Sequence, residues 1–410
     1  MPDSDRLYYS DPFLKTFTAT IHDARKAPGP EPTSVWQLAL DRSAFYPTSG
    51  GQPFDTGLLK TTSTAGANIE IPVEQVEEDE SGTVWHFVQQ PLSKGTQVEG
   101  QIDWSRRFDH MQQHTGQHVL SAALVRVCHA PTVSFHLGSD AATIDISAVP
   151  SPADLERAVD EANRIVWEDR EVAIRFASAD EAKALSLRKE SARQGELRLI
   201  EVPDFDLSAC GGTHVARTGA IGLIAVTATE KFKGGLRLTF VCGGRALRSL
   251  RQLRDAVAGT VRLLSVLPQE LPSAVEKLQG DGKGLRKTIS GLQAALAVHE
   301  ADRLLAAAHP AGARRVITEI YEDWDAAGLK TIASSLIARD PVAVALVTTG
   351  PTATVVVGCA PSLGLDAGAA IKRLTERFGG RGGGRPDLAQ AGGLSGHAAE
   401  IAVAARALLE

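Results

Sequence analysis

Alternation at period 2 dominates the first hundred residues. In Phe17-Thr18-Ala19-Thr20-Ile21, Ser34-Val35-Trp36-Gln37-Leu38-Ala39-Leu40 and Thr83-Val84-Trp85-His86-Phe87-Val88, apolar and polar side chains alternate as half-buried strands require. Gly and Pro cluster between these runs and supply the turns. Residues 1–95 are therefore expected to form a β-rich, barrel-like subdomain. The period then changes. Leu120, Leu124 and Val127 recur at helical spacing within 105–128, as do Ala158, Ala162 and Val166 within 153–167. With strands expected near 172–176, 197–202, 221–228 and 236–241, residues 96–245 read as an α+β domain.

Residues 246–310 are rich in Arg, Leu, Ala and Gln. They predict a helical spacer of two antiparallel helices, interrupted near Pro268 and Pro272 and loosened at Gly280-Asp281-Gly282. Leu285, Ile289, Leu292 and Leu296 mark a helical seam. Residues 311–410 read as a small α/β domain. Its runs 342–348 and 354–358 are continuously apolar, as in strands buried on both faces. Helices are expected at 367–378 and 398–409, with a glycine-rich loop, Gly379 to Gly393, between them. The expected fold class is thus α+β and multidomain.

Composition narrows the setting. The 410 residues, 43% of them hydrophobic, suffice for two or three domains with their own cores. A net charge of −6 excludes a uniformly basic surface but not local basic patches. The four cysteines, Cys128, Cys210, Cys242 and Cys359, form no disulfide framework, which fits a reducing compartment. The N-terminus lacks an apolar signal core, and no apolar run approaches the ~20 residues that span a bilayer. A soluble, cytoplasmic protein with no membrane partner is expected.

Two short motifs carry candidate chemistry. His114-Thr115-Gly116-Gln117-His118 sets two imidazoles about one helical turn apart on one face. His110 forms a rival pair with His114 and otherwise reads as a supporting or surface histidine. Cys210-Gly211-Gly212-Thr213-His214 places a thiolate and an imidazole on a tight glycine turn. Four soft or borderline ligands favour zinc over magnesium or calcium. Three ligands and an open position would suit water activation, whereas four would suit a structural ion; spacing leaves both open.

These motifs, with Val119-Leu120 after the second histidine, resemble the editing domain of alanyl-tRNA synthetase and the free-standing AlaX editing proteins. The run from Phe45 through Tyr46-Pro47-Thr48-Ser49-Gly50-Gly51-Gln52-Pro53-Phe54-Asp55-Thr56 to Gly57 resembles the glycine-rich signature of that domain. Gly380-Arg381-Gly382-Gly383-Gly384-Arg385-Pro386-Asp387-Leu388 resembles the signature of the synthetase's C-terminal domain. Because the editing signature starts by residue 45, no aminoacylation domain is expected before it. The resemblance implies a long-form editing protein that removes serine, or glycine, from alanine-specific tRNA. It implies one zinc ion on His114, His118, Cys210 and His214. Thr48 is a candidate partner for the serine hydroxyl, with Ser49, Gly50, Gly51, Gln52 and Gln117 as pocket residues. Where the synthetases carry Gln-Lys-Gly, this chain has Ser134-Phe135-His136-Leu137-Gly138, and His136 is expected to face the same pocket. Arg381, Gly382, Gly383, Gly384 and Arg385, with Lys372, Arg373 and Arg377 upstream, are candidate tRNA contacts. The C-terminal domain is also expected to promote a homodimer. Competing readings are a non-catalytic tRNA-binding protein with a structural zinc and a nucleic-acid phosphodiesterase, which would need an Asp-rich two-metal cluster.

Overall fold

A computed structural model describes residues 5–27, 35–62, 66–188, 196–308, 315–350 and 352–410. Ser34, at the head of one expected strand, and the expected domain border at 310/311 lie outside these residues. The chain divides into two compact units, Met1–Val257 and Ala258–Glu410.

The first unit begins with a seven-stranded sheet. Its strands run in the order Asn68–Val73, Gly57–Thr62, Gln97–Ile102, Thr16–Lys26, Trp36–Leu40, Val84–Val88 and Gln75–Glu78. The two edge strands, Asn68–Val73 and Gln75–Glu78, are joined by Glu74 alone, so the sheet must curl until its edges meet. The long strand Thr16–Lys26 changes partner at its middle, across a register shift between Ile21 and Asp23, and this bends the sheet. Phe17, Ala19, Ile21, Leu38, Leu40, Phe45, Leu59 and Val98 fill the interior. The sheet continues past residue 95, because Gln97–Ile102 pairs with two of its strands.

The helix Trp104–Cys128 follows, capped by the Asp103 carboxylate on the Arg106 N–H. It is buried on nearly every side from His110 to Leu124. With Pro152–Trp167 it packs on the antiparallel sheet of Thr132–Leu137, Ala142–Ile146, Gly235–Cys242 and Ile224–Phe232. Gly116 permits the closest approach, since a Cβ there would overlap the Cys242 sulfur. A smaller sheet, Ala173–Ala177, Leu197–Val202 and Asp206–Ala209, carries the chain to Cys210.

In the second unit, Arg315–Tyr321 and Val342–Thr348 run parallel, joined through the helix Ala326–Arg339. Ala353–Cys359, Leu388–Leu394 and Arg381–Gly384 complete a five-stranded sheet. Both faces are covered. Ala343, Ala345 and Val347 meet the helices Ala367–Phe378 and Ala398–Ala407, whereas Val344 and Leu346 meet Ala326–Arg339 and the end of Leu271–Ala307. This is why the strands read as unbroken apolar runs. The expected loop 379–393 is instead a hairpin. Glycine hides the strand because its missing side chains are what the pairing needs: a Cβ on Gly382 would lie 2.5 Å from Ala391 Cβ, and one on Gly384 2.6 Å from Ala389 Cβ. Nor is the helix Leu271–Ala307 loosened at Gly280 and Gly282, through which it runs unbroken. The seam residues Leu285, Ile289, Leu292 and Leu296 are exposed, between 51% and 67%.

Candidate metal centre

The helix Trp104–Cys128 presents His114 and His118 to the turn that follows Asp206–Ala209, where Cys210 and His214 sit. The four donor atoms lie within 4.8 Å of one another, and His114, His118 and His214 are almost wholly buried. Cys210 Sγ stands 3.4 Å from His114 Nε2 and 3.4 Å from His214 Nε2. Zinc bond lengths of about 2.0 Å to nitrogen and 2.3 Å to sulfur set tetrahedral edges of roughly 3.5 Å, so these separations suit one ion.

The other nitrogen of each imidazole has its own partner. His114 Nδ1 lies 2.8 Å from Gln52 Oε1, His118 Nδ1 3.1 Å from Asp206 Oδ2, and His214 Nδ1 3.2 Å from Thr115 Oγ1. The Thr115 hydroxyl donates to the Met111 carbonyl, so its oxygen is left to accept from His214. Three Nδ1–H donors are thereby fixed, and three Nε2 lone pairs face the centre.

Burial works against a charged His118, but its hydrogen bonds to Asp206 and Cys210 raise it, so a metal ion has to displace a proton there; at Cys210 and His214 the electrostatics favour ligation. Burial by itself raises a thiol, but His114 and His214 outweigh it and bring the Cys210 thiol well below its ordinary value. Burial, then the neighbouring His114, lowers His214 to about 3, so it is neutral and able to ligate at neutral pH. Burial works against the Asp206 carboxylate, yet His118 and Arg188 hold it down at about 2. An ionised acceptor behind His118 strengthens that ring as a ligand.

Two glycine turns make the convergence possible. Ser49 and Gln52 exchange backbone hydrogen bonds around Gly50 and Gly51, whose φ of 57° and 84° favours glycine. This turn delivers Gln52, fully buried, to His114 and to Thr213 at 2.8 Å. On the other side, a Cβ on Gly212 would overlap the His114 ring. Arg198 clamps that second turn by donating to the carbonyls of Cys210 at 2.7 Å and Gly212 at 2.9 Å. Beneath both, Arg107 is fully buried against Asp55, and the two pin the segment after the first turn to the start of the histidine helix.

Thr48 is exposed and donates its N–H to the Val76 carbonyl at 3.2 Å. Gln117 is buried and donates to Ser121 Oγ at 2.8 Å, one turn along its own helix. Phe135 stacks on His114, with ring centroids 5.5 Å apart, and packs against Gly51. His136, the next residue of the strand, is exposed and alternation turns it to the opposite face, away from the side where it was expected. His110 is not a surface residue: it is 3% exposed. Arg381 to Arg385, Lys372, Arg373 and Arg377 are all exposed, with Arg385 bridging to Asp387 at 3.0 Å. Sequence reasoning missed Thr115, Asp206 and Arg198, which act on the ligands across the fold. It named Gln52 only as a pocket residue.

Comparison with known proteins sets this geometry in a family. Residues 2–106 match the family described as tRNA synthetases class II (A), and 197–238, which contain Cys210 and His214, match the threonyl and alanyl tRNA synthetase second additional domain. Residues 313–410 match the DHHA1 domain. The alanine–tRNA ligase of Pyrococcus furiosus is 35% identical over 401 residues, covering 95% of this chain and 42% of the ligase. That of Natronomonas pharaonis is 34% identical over 413 residues, covering 96% and 42%. The chain therefore spans less than half the length of these ligases. The alanyl-tRNA editing protein AlaX-L of Pyrococcus horikoshii is 30% identical over 395 residues, and the match covers 94% of both chains. Shared along nearly the whole of that editing protein, and not only with a segment of the ligases, the sequence belongs to the AlaX-L family of alanyl-tRNA editing proteins.

Proposed function

We propose that this chain is a trans-acting deacylase. It hydrolyses the ester of alanine tRNA mischarged with serine, and of the glycine-charged form, at one zinc ion held by His114, His118, Cys210 and His214. The convergence of those four donors carries the reading. Zinc bound there supplies Lewis-acid polarisation of a carbonyl and a water of lowered pKa.

The chain's own residues do the rest. Gln52, Asp206 and Thr115 hold each imidazole with Nε2 toward the centre. Phe135 covers one side of His114 and keeps bulk water from it. Gly50 and Gly51 offer backbone N–H groups to the ribose or to a developing oxyanion. The Thr48 hydroxyl, beside that turn, is the proposed partner of the serine hydroxyl, since a site built to pair a hydroxyl rejects an analogue lacking it. The arginines and lysine of the second unit, from Lys372 to Arg385, are proposed to grip tRNA phosphates. A second copy is proposed to join through the same unit, where Leu278, Leu285, Ile289, Leu292 and Leu296 leave an exposed apolar seam near heptad spacing.

Deacylation of Ser-, Gly- and Ala-charged tRNA, with and without chelator, tests the reading. Loss of Ser-tRNA turnover on chelation and in Cys210→Ala is expected; full turnover in either case refutes the zinc centre. One observation favours a second reading: four converging protein donors are typical of structural zinc sites. A tRNA-binding protein with a structural ion would bind Ser-charged tRNA and leave its ester intact. The donor set holds no carboxylate, so it lends nothing to a two-metal phosphodiesterase.

A further inference from the structure

One turn before His114, the histidine helix borders a cavity of about 420 Å³ that the metal centre does not use. Arg106, Asp109 and His110 line it from this helix, Arg245 and Arg248 from the helix Gly243–Leu264, and Ser139 from the loop after Thr132–Leu137. Its cations outnumber its anion. Arg245, 3% exposed, grips both oxygens of Asp109 at 2.7–3.0 Å and donates to the Gly138 carbonyl at 2.7 Å. Asp109 is thereby neutralised. Arg248 stands 3.7 Å from the same carboxylate with 63% of its side chain exposed, and among the described residues Arg106 spends only Nε in a hydrogen bond, on the Phe54 carbonyl at 2.9 Å. His110 is 3% exposed, and its Nδ1 has no hydrogen-bond partner among the described residues. A buried polar group of this kind at a cationic cavity calls for a bound water or a ligand to complete its bonding.

The geometry points to a binding site for a phosphodiester of the single strand that leads into the metal centre. This rests on the deacylase reading for its direction. Pro53, the neighbour of the Gln52 that holds His114, forms part of the wall, so the cavity and the centre share a border. His110 and His114 are about 6 Å apart along the helix axis. An ester at the centre and a phosphate in the cavity therefore lie within reach of adjoining nucleotides of one strand. The volume exceeds that of a lone inorganic anion and leaves room for the sugar. Arg106 and Arg248 supply forked donors to the phosphate oxygens, with Ser139 beside them.

The test uses the metal-loaded full chain and a fluorescent, uncharged oligoribonucleotide carrying the single-stranded 3′ end of the tRNA, titrated over a range of salt. Arg248→Ala and Arg106→Gln should each weaken binding by about tenfold, the scale of one charge-assisted hydrogen bond. Each should also reduce the slope of log affinity against log salt by about 0.7, one phosphate contact on a single strand. Inorganic phosphate should displace the oligonucleotide only in large excess. Unchanged affinity and slope in both variants would overturn the proposal. So would free phosphate binding as tightly as the strand, which would make this a simple anion site. Arg248 is exposed at the rim, and its melting temperature should match the parent protein, which separates lost binding from lost fold. The probe bears no ester, so the outcome is independent of deacylation: an inactive centre with intact strand binding sinks the proposed function and leaves this site standing.

Discussion

A histidine ligand must offer one nitrogen and surrender the other, and three side chains from distant segments enforce that choice. Removing the acceptor behind a ligand typically costs 10–100-fold in metal affinity, so Asp206→Ala should show a loss of about that size in competition with a chromophoric chelator. Asp206 also gives the metal-free chain a pH signature. Its folded value of about 2 lies below the ordinary carboxylate value, so its stabilisation is present above about pH 4 and is lost as pH falls toward 2. The difference is on the order of 2 kcal/mol for this buried group. Melting of metal-free wild type and Asp206→Asn between pH 5 and pH 2 should therefore converge; parallel curves would show that the carboxylate is not held low. Gly212→Ala is the sharpest steric test. The added methyl overlaps the His114 ring, so metal content measured by elemental analysis should fall well below one per chain while the far-UV spectrum stays native.

Among the elements, the start of the histidine helix and the segment after the first glycine turn are tied by one buried ion pair. Arg107 meets Asp55, and its remaining donors go to the carbonyls of Pro12 at 2.8 Å and Ala44 at 2.5 Å. Breaking such a pair from one side leaves an uncompensated buried charge, which costs about 3–5 kcal/mol. Asp55→Ala should lose that much in urea unfolding; a loss below about 1 kcal/mol, the size of a surface pair, would contradict the burial. Helices such as Trp104–Cys128 and Ala367–Phe378 were legible to within a residue or two. The hairpin at Arg381–Gly384 was not, because glycine has low strand propensity and its fit is visible only against Ala389 and Ala391.

At the scale of the molecule there are two compact units: Met1–Val257 contains the candidate metal centre, and Ala258–Glu410 the exposed arginines and the apolar seam. Deleting residues 311–410 should therefore weaken tRNA affinity more than it lowers single-turnover deacylation; equal affinity for the shortened chain would refute a tRNA-gripping role. No described helix is long and apolar enough to cross a membrane.

The sequence by itself determined the ligand types, their pairing on one helix and one turn, and the glycine signatures that placed the chain in its family. Those are local properties: helical spacing and glycine's tolerance of tight turns hold wherever the segment sits. Tertiary structure alone decided which residues stand behind the ligands. Gln52 reaches His114 across 62 positions, Asp206 reaches His118 across 88, and Thr115 reaches His214 across 99. It also turned His136 away from the centre and left His110 beside a cationic cavity. No local pattern encodes such meetings, because they arise from how sheets curl and helices pack.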